Sequence, residues 1–512
     1  MRNDAEAQHA AAMEKLRSAL PRAGGTALPN LVAGEWVPGG PDTRETIDPT
    51  TGRSLADVTI AAPSTVDHAV ATAREAGARW WNTDGQDRSR AMRKVADLIR
   101  DRADYLGLAD TLDVGRPIRD TVTRDTERAA RLFEYWAGAT DRLRGATVPV
   151  QPGLFNVVLR EPYGVVGAIT PWNYPLTNAA TKLAPALATG NAVVLKPAED
   201  SPLSALLLGQ CLLDAGLPAG LVSVLTGPGD VTGEAIVGHP AVEKITFTGS
   251  TEVGRKIGSR CGELLKSVSL ELGGKSPMLV FPDADLDGAA DAAVYTAFLN
   301  AGQTCTAGTR LLLHQSIADD MLGRMKERLA VLRIGDPLDE GTDIGPIVSQ
   351  RQLATVRAYV ASGLEQGAKP IDVALEVPEG GCFHPPVIFT DVEPTMRIAQ
   401  EEIFGPVLSV FVFDDVGKAV DLANDTPYGL AASIWTSELA LATELAAALQ
   451  AGIVWTNCVH MLHPGSPYGG YKASGVGLEM GDEAIGQHMK TKSVWTATED
   501  WRSPWASVRH EL

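Results

Sequence analysis

The sequence predicts an α/β protein whose parallel sheets are covered by helices on both faces. After about residue 157, short β-branched runs at 165–170, 192–195, 222–225 and 245–248 alternate with alanine- and leucine-rich segments such as 201–215. Each run is nearly continuous in apolar residues and ends in glycine, proline or a small polar residue. Such strands belong in a parallel sheet buried on both sides, where ligands bind beyond the carboxyl ends of the strands. A second α/β stretch begins near Ser276 and runs to about 480, with strands expected at 278–281, 310–313, 407–413 and 452–455. No flexible Gly/Ser linker separates the two halves, so they should pack tightly around a cleft.

Before residue 157 the texture is mostly helical. Met92, Val95, Ile99, Ala103 and Leu106 fall at helical spacing among charged residues. Residues 1–20 read as an amphipathic helical extension: Asp4, Glu6 and Glu14 interrupt the alanines, and no apolar core of a signal peptide is present.

The 512 residues are 45% hydrophobic and 21% charged, the balance of a folded protein large enough for two or three domains. The net charge, 45 − 63 = −18, disfavours nucleic acid or an anionic membrane as a partner, because both need basic surface. Segment 431–455 comes nearest to a membrane span, but Glu438 and Glu444 break it. Five scattered cysteines (Cys211, Cys261, Cys305, Cys382, Cys458) argue against a disulfide scaffold and for a reducing, cytoplasmic setting.

Several strand ends can carry chemistry. Run 192–195 leads into Lys196-Pro-Ala-Glu199, where a carboxylate can accept from a ribose hydroxyl and a lysine can meet ribose or phosphate oxygens. A solvated strand end explains the same residues equally well. Gly249-Ser250-Thr-Glu-Val-Gly254 follows run 245–248 and suits an anion at a helix start, or simply a capped turn. The glycine-rich dinucleotide fingerprint is absent. Cys305 lies among small residues in Gly302-Gln-Thr-Cys305-Thr-Ala-Gly and can serve as a nucleophile once its thiolate is favoured; a lone cysteine is also commonly buried and inert. Glu271 ends the apolar run 267–270 before Leu-Gly-Gly, where a carboxylate can act as general base or sit solvated in a loop. Cys458, His460 and His463 cluster as metal ligands might. The other histidines are isolated and offer no evident fourth ligand, so a pocket-lining loop is expected there and no metal.

Taken together, these segments resemble the aldehyde dehydrogenase superfamily. Glu271-Leu-Gly-Gly-Lys-Ser-Pro is similar to its glutamate motif and Gly302-Gln-Thr-Cys305 to its cysteine motif, with 305 − 271 = 34 residues between them. Glu161-Pro-Tyr-Gly-Val-Val-Gly-Ala-Ile-Thr-Pro-Trp-Asn173 resembles its oxyanion segment. Glu402-Ile-Phe404-Gly-Pro and Pro467-Tyr-Gly-Gly-Tyr-Lys-Ala-Ser-Gly follow as later motifs, in family order.

The resemblance implies a three-part α/β architecture. A Rossmann-like cofactor domain would span 31–141 and 162–272, and an α/β catalytic domain 273–489. A small β oligomerisation element would combine 142–161 with 490–499. Residues 1–30 form an N-terminal extension and 500–512 a tail, and a homodimer or homotetramer is implied.

The resemblance also implies oxidation of a small-molecule aldehyde to the acid. Cys305 would be the nucleophile, Glu271 the base for water, and Asn173 with the Cys305 N–H the oxyanion site. Lys196, Glu199, Gly249, Ser250, Trp172, Glu402 and Phe404 would hold the cofactor. Glu199 favours NAD, with NADP possible. A base at 271 favours release of a free acid over transfer to coenzyme A. The substrate tunnel would include Tyr174, Thr181, Leu462 and Tyr468, less aromatic than in relatives acting on small aliphatic aldehydes, with His460 and His463 adding polarity at its mouth. No arginine stands at an evident place to clamp a substrate carboxylate. A redox-free cysteine hydrolase and a non-catalytic scaffold are the rival readings; neither accounts for the cofactor segments together with Cys305, Glu271 and Asn173.

Overall fold

A computed structural model describes residues 2–38, 42–503 and 505. Its largest sheet has eight strands, in the order Glu35–Val37, Asn30–Val32, Val222–Val224, Ala192–Lys196, Val165–Ile169, Lys244–Thr248, Ser267–Glu271 and Gly475–Val476. The five from Val222–Val224 to Ser267–Glu271 are mutually parallel, as their continuous apolar runs require. Val165–Ile169 and Ala192–Lys196 are buried at every position. From Val165–Ile169 the chain builds outward first to one side and then to the other, so the strand order reverses beside Lys244–Thr248. At such a switch point neighbouring connections diverge and leave a crevice at the carboxyl ends.

The second sheet has seven strands: Lys369–Pro370, Val387–Thr390, Val407–Phe413, Arg310–His314, Pro277–Val280, Ala431–Trp435 and Ile453–Thr456. All its pairings are parallel except that of Lys369–Pro370. The expected strands are present in both sheets, with ends displaced by a residue or so. A third sheet joins Met489–Ala497, Leu154–Pro162 and Ala146–Val148 antiparallel, in register from Met489 opposite Pro162 to Ala497 opposite Leu154. It leaves Phe155, Leu159, Val494 and Trp495 exposed.

The helical region differs from its sequence reading in two ways. Short strands at Thr43–Ile47 and Ser54–Thr59 precede it, and the 92–106 periodicity belongs to two helices, Gly85–Asp101 and Ala103–Val114, that divide at Arg102. Asp84 caps the first by accepting from Gln86 N, and Met92, Val95 and Ile99 form its buried face. Asp110 and Asp113 of the second accept from Leu176 N and Leu203 N, satisfying the first turns of two neighbouring helices.

The N-terminal helix, Arg2–Arg17, docks by burying Met13 and Leu16 and by an ionic clasp. His9 is 5% exposed, with Nδ1 2.7 Å from Asp48 and Nε2 2.9 Å from Asp336. Burial opposes its charge, but hydrogen bonds to Asp336 and Asp48 outweigh that and hold its pKa up, at about 9. Tail 500–512 lies mostly outside the described residues.

A histidine's unfolded value is about 6.5, so the stability this clasp contributes is complete below that pH and is lost as pH rises through about 9. His9→Gln is expected to cost about 2 kcal/mol in urea unfolding at about pH 6 and almost nothing at about pH 10. An equal cost at both values would remove the charge from this account.

Candidate active site

A cavity of about 500 Å³ opens at the switch point, between the carboxyl ends of the first sheet and the loops of the second. Three strand ends reach it. Val165–Ile169 leads to Trp172 and Asn173, Lys244–Thr248 to Gly249 and Ser250, and Ser267–Glu271 ends on Glu271 itself. Ser250 caps the helix Thr251–Glu263, its hydroxyl accepting from Val253 N at 3.3 Å. The helix start faces the cavity with the electropositive end of its dipole.

Cys305 comes from the opposite side, after the helix Leu286–Phe298 and a tight turn. Asn300, Ala301 and Gly302 all take positive φ there, bending the chain sharply before the thiol. At Gly302 a side chain would strike Gly405 O at 2.2 Å, and at Gly274 one would strike Cys305 O at 2.3 Å. Both glycines let backbones meet where a Cβ has no room.

Amides tie this loop to the first sheet. Asn173 Nδ2 donates to Gln303 O at 3.1 Å, and Asn300 Nδ2 donates to Asn173 O at 3.1 Å. Asn173 Oδ1 accepts from Asn178, which orients the amide, and its second hydrogen has no protein acceptor among the described residues. Among the described residues the Cys305 N–H donates to no protein acceptor.

Cys305 Sγ lies 3.2 Å from Tyr468 Oη. Burial pushes the thiol up to about 11, the Glu402 and Glu271 charges add to this, and the Tyr468 hydroxyl opposes it. Glu271 is 2% exposed, and neither carboxylate oxygen has a protein partner among the described residues. Burial and then the nearby Glu479 charge raise its pKa well above the usual carboxylate range, with Lys182 opposing. Lys182 is spent on an ion pair with Glu479, which also accepts from Thr246. Glu402 accepts from Gly274 N at 2.9 Å, and burial pushes it up to about 7. Trp172 and Phe404 meet edge to face at 5.1 Å on the same side.

Of the sequence-predicted residues, Cys305, Glu271, Asn173, Gly249, Ser250, Trp172, Glu402, Phe404, Tyr174, Thr181, Leu462 and Tyr468 all line this one cavity. Lys196 and Glu199 do not. They stand at the end of the adjoining strand, where burial pulls Lys196 down to about 8 and Arg44 lies 3.4 Å from Glu199. His463 is also elsewhere: its Nδ1 accepts from Gly465 N and its ring packs on Tyr135, so it adds no polarity to the cavity. His460 does line it, with ring nitrogens engaged by Thr296 and Thr306, and burial holds it neutral, at about 4.

The sequence reading found no arginine at an evident place to clamp a substrate carboxylate, yet the cavity wall holds three. Arg116, Arg124 and Arg128 all line the cavity. They lie outside every motif, on the π-helical turn Thr121–Asp125 and its flanks, which tertiary packing carries to the tunnel wall. The only signal in the sequence was the four-residue spacing of Arg124 and Arg128, which reads equally as a solvated helix face.

Known proteins are similar to this chain in sequence and fold. The sequence profile described as the aldehyde dehydrogenase family matches residues 36–494. An aldehyde dehydrogenase of Enchytraeus buchholzi is 43% identical over 460 residues, 89% of this chain and 93% of that protein. The NAD+ complex of an aldehyde dehydrogenase from Bacillus cereus superposes with a TM-score of 0.91 at 37% identity, covering 95% of this chain and 99% of that one. An indole-3-acetaldehyde dehydrogenase of P. syringae, solved with NAD+ and IAA, gives 0.91 at 40% identity, with the same coverage.

The Tyr468 contact makes a testable claim about the thiol. Tyr468→Phe removes the hydroxyl that lowers the Cys305 pKa, so alkylation by iodoacetamide at about pH 8 should slow about threefold to tenfold. Cys305→Ala serves as the blank for the other four cysteines. Unchanged alkylation would mean that the hydroxyl does not stabilise the thiolate.

Proposed function

The chain belongs to the aldehyde dehydrogenase family, and we propose that it converts an aldehyde to the free carboxylic acid with NAD, through a thioester on Cys305. The observation that carries this reading is the convergence of Cys305, Glu271 and Asn173 on one cavity that also holds the Gly249–Ser250 helix start.

The residues fit a dinucleotide. Gly249 and Ser250 offer helix-start N–H groups to phosphate, and Glu402 has one carboxylate oxygen left for a ribose hydroxyl. Trp172 and Phe404 would flank that same end, while Lys196 and Glu199 would meet the adenosine ribose. Arg44 beside Glu199 offsets the repulsion of a 2′-phosphate, which supports NADP as a second acceptor. When bound, the nicotinamide supplies the two-electron acceptor that turns the thiohemiacetal on Cys305 into a thioester.

The rest is protein chemistry. Cys305 gives its proton to solvent water and attacks the carbonyl carbon as the thiolate. The oxyanion is held by the second amide hydrogen of Asn173 and the Cys305 N–H, donors aimed at charge that develops only during reaction. Glu271 takes a proton from water as the water attacks the thioester, and the C–S bond breaks to release the acid. Glu271 must be ionised for this, and its raised pKa makes deacylation faster as pH climbs. Tyr174, Thr181, Leu462 and Tyr468 line the tunnel to the thiol. Assembly as a homodimer or homotetramer through the exposed three-stranded sheet would cover Phe155 and Trp495.

Cys305→Ala should abolish aldehyde-dependent NADH formation, falling at least about a thousandfold. Glu271→Gln should keep a burst of one NADH per site while steady turnover drops about a hundredfold or more. Stopped-flow absorbance separates the two. No cofactor reduction across a broad aldehyde panel defeats the proposal, and a normal steady rate in Glu271→Gln removes Glu271 from the role of base.

A further inference from the structure

The substrate end of the cavity carries one charge that the protein leaves unanswered. Arg116 is paired with Asp125 at 2.8 Å and stacks on Tyr174, with its guanidinium 4.2 Å from the ring centre. Arg124 pairs with Asp120 at 3.4 Å and reaches the Tyr295 hydroxyl at 3.4 Å. Arg128 is half-buried in the same wall, and among the described residues it makes no hydrogen bond, ion pair or ring contact.

The other ionisable groups around the cavity do not answer it. Glu479 is taken by Lys182, and Glu271 and Glu402 are drawn toward their neutral forms by burial. His460 is neutral. The Arg128 charge nevertheless acts at Cys305, Tyr468, Tyr174 and His460, so it belongs electrically to the tunnel. A guanidinium kept partly out of water with no partner is a cost to the empty protein, and an anion entering the tunnel would offset it.

We propose that Arg128 receives a carboxylate at the far end of the substrate, so that the site selects aldehydes bearing an acid at their other terminus. This rests on the reading of Cys305 as the residue that meets the carbonyl. The planar fork of a guanidinium matches a carboxylate in two parallel hydrogen bonds. A phosphate dianion would call for a second free cation, and both neighbouring arginines are already committed to aspartates.

The test is steady-state kinetics on unbranched aldehydes matched in length, ending in carboxylate, methyl or phosphate. The wild-type enzyme should prefer the carboxylate series by kcat/KM. In Arg128→Gln the carboxylate-to-methyl ratio should fall about 30-fold, mainly through KM, while Arg128→Lys, which keeps the charge but not the fork, should lose only part of it. Arg128→Glu should reverse the order and place the methyl series above the carboxylate series. A ratio that does not move in Arg128→Gln overturns the inference, as does a preference for the phosphate series. If methyl-terminated aldehydes are oxidised through Cys305 and the ratio stays fixed, this inference alone fails. If nothing is oxidised, the functional reading beneath it fails as well.

Discussion

The site depends on one physical constraint: the loop carrying Cys305 is held against the carboxyl ends of the first sheet by side-chain amides. Asn173, Asn300 and Gln303 exchange hydrogen bonds across the cleft, and Gln303 Oε1 accepts from Val348 N at 2.9 Å on the far side. Amides suit this task because each carries donor and acceptor and none brings a charge into a buried seam. The left-handed residues Asn300 and Ala301 cost about 1 kcal/mol or more each, a strain that persists only because the network leaves the loop no other course. The same bonds that position the thiol also orient the Asn173 amide. The Cys305 thiol and the Asn173 amide are therefore set by a single piece of structure.

Around that seam the protein buries acids that it does not pair. Glu271, Glu402 and Cys305 line one cavity, and each acid raises the cost of ionising the thiol. Acids buried in this way rest near neutrality and ionise when a ligand brings polar partners. The contrast with Lys182 and Glu479 is informative, because that pair is buried nearby and fully answered.

Much of the fold was legible because buried parallel strands have a plain signature. Runs such as 165–169 and 407–413 are apolar at nearly every position, and glycine or proline marks their ends. The chemical core was legible for a different reason, since Glu271, Cys305 and Asn173 sit in short segments whose local geometry demands particular residues. Gly274 and Gly302 belong to those segments because backbones meet there. Contacts between distant elements were not legible. Nothing near His9 in the chain announces Asp336, and nothing in the neighbourhood of Arg128 announces Cys305. Likewise, His463 resembles a pocket residue in sequence, yet a turn spends it on Gly465.

This difference follows from where selectivity can be built. The residues proposed for the chemistry sit in segments constrained by the close approach of backbones, so those segments are recognisable. The wall formed by the π-helical turn Thr121–Asp125 and the helix Thr126–Ala137 meets no such constraint, because a helix face accepts almost any side chain at its exposed positions. The wider π turn changes the facing of the residues that follow it, bringing positions 124 and 128 to one cavity wall while Asp125 turns inward to Arg116. Substitution on that wall alters the charge of the tunnel without disturbing the amide seam or the strand ends. The part of the site freest to vary is thus the wall proposed to meet the substrate's far end, so the proposed reaction follows from motifs and the proposed preference from packing.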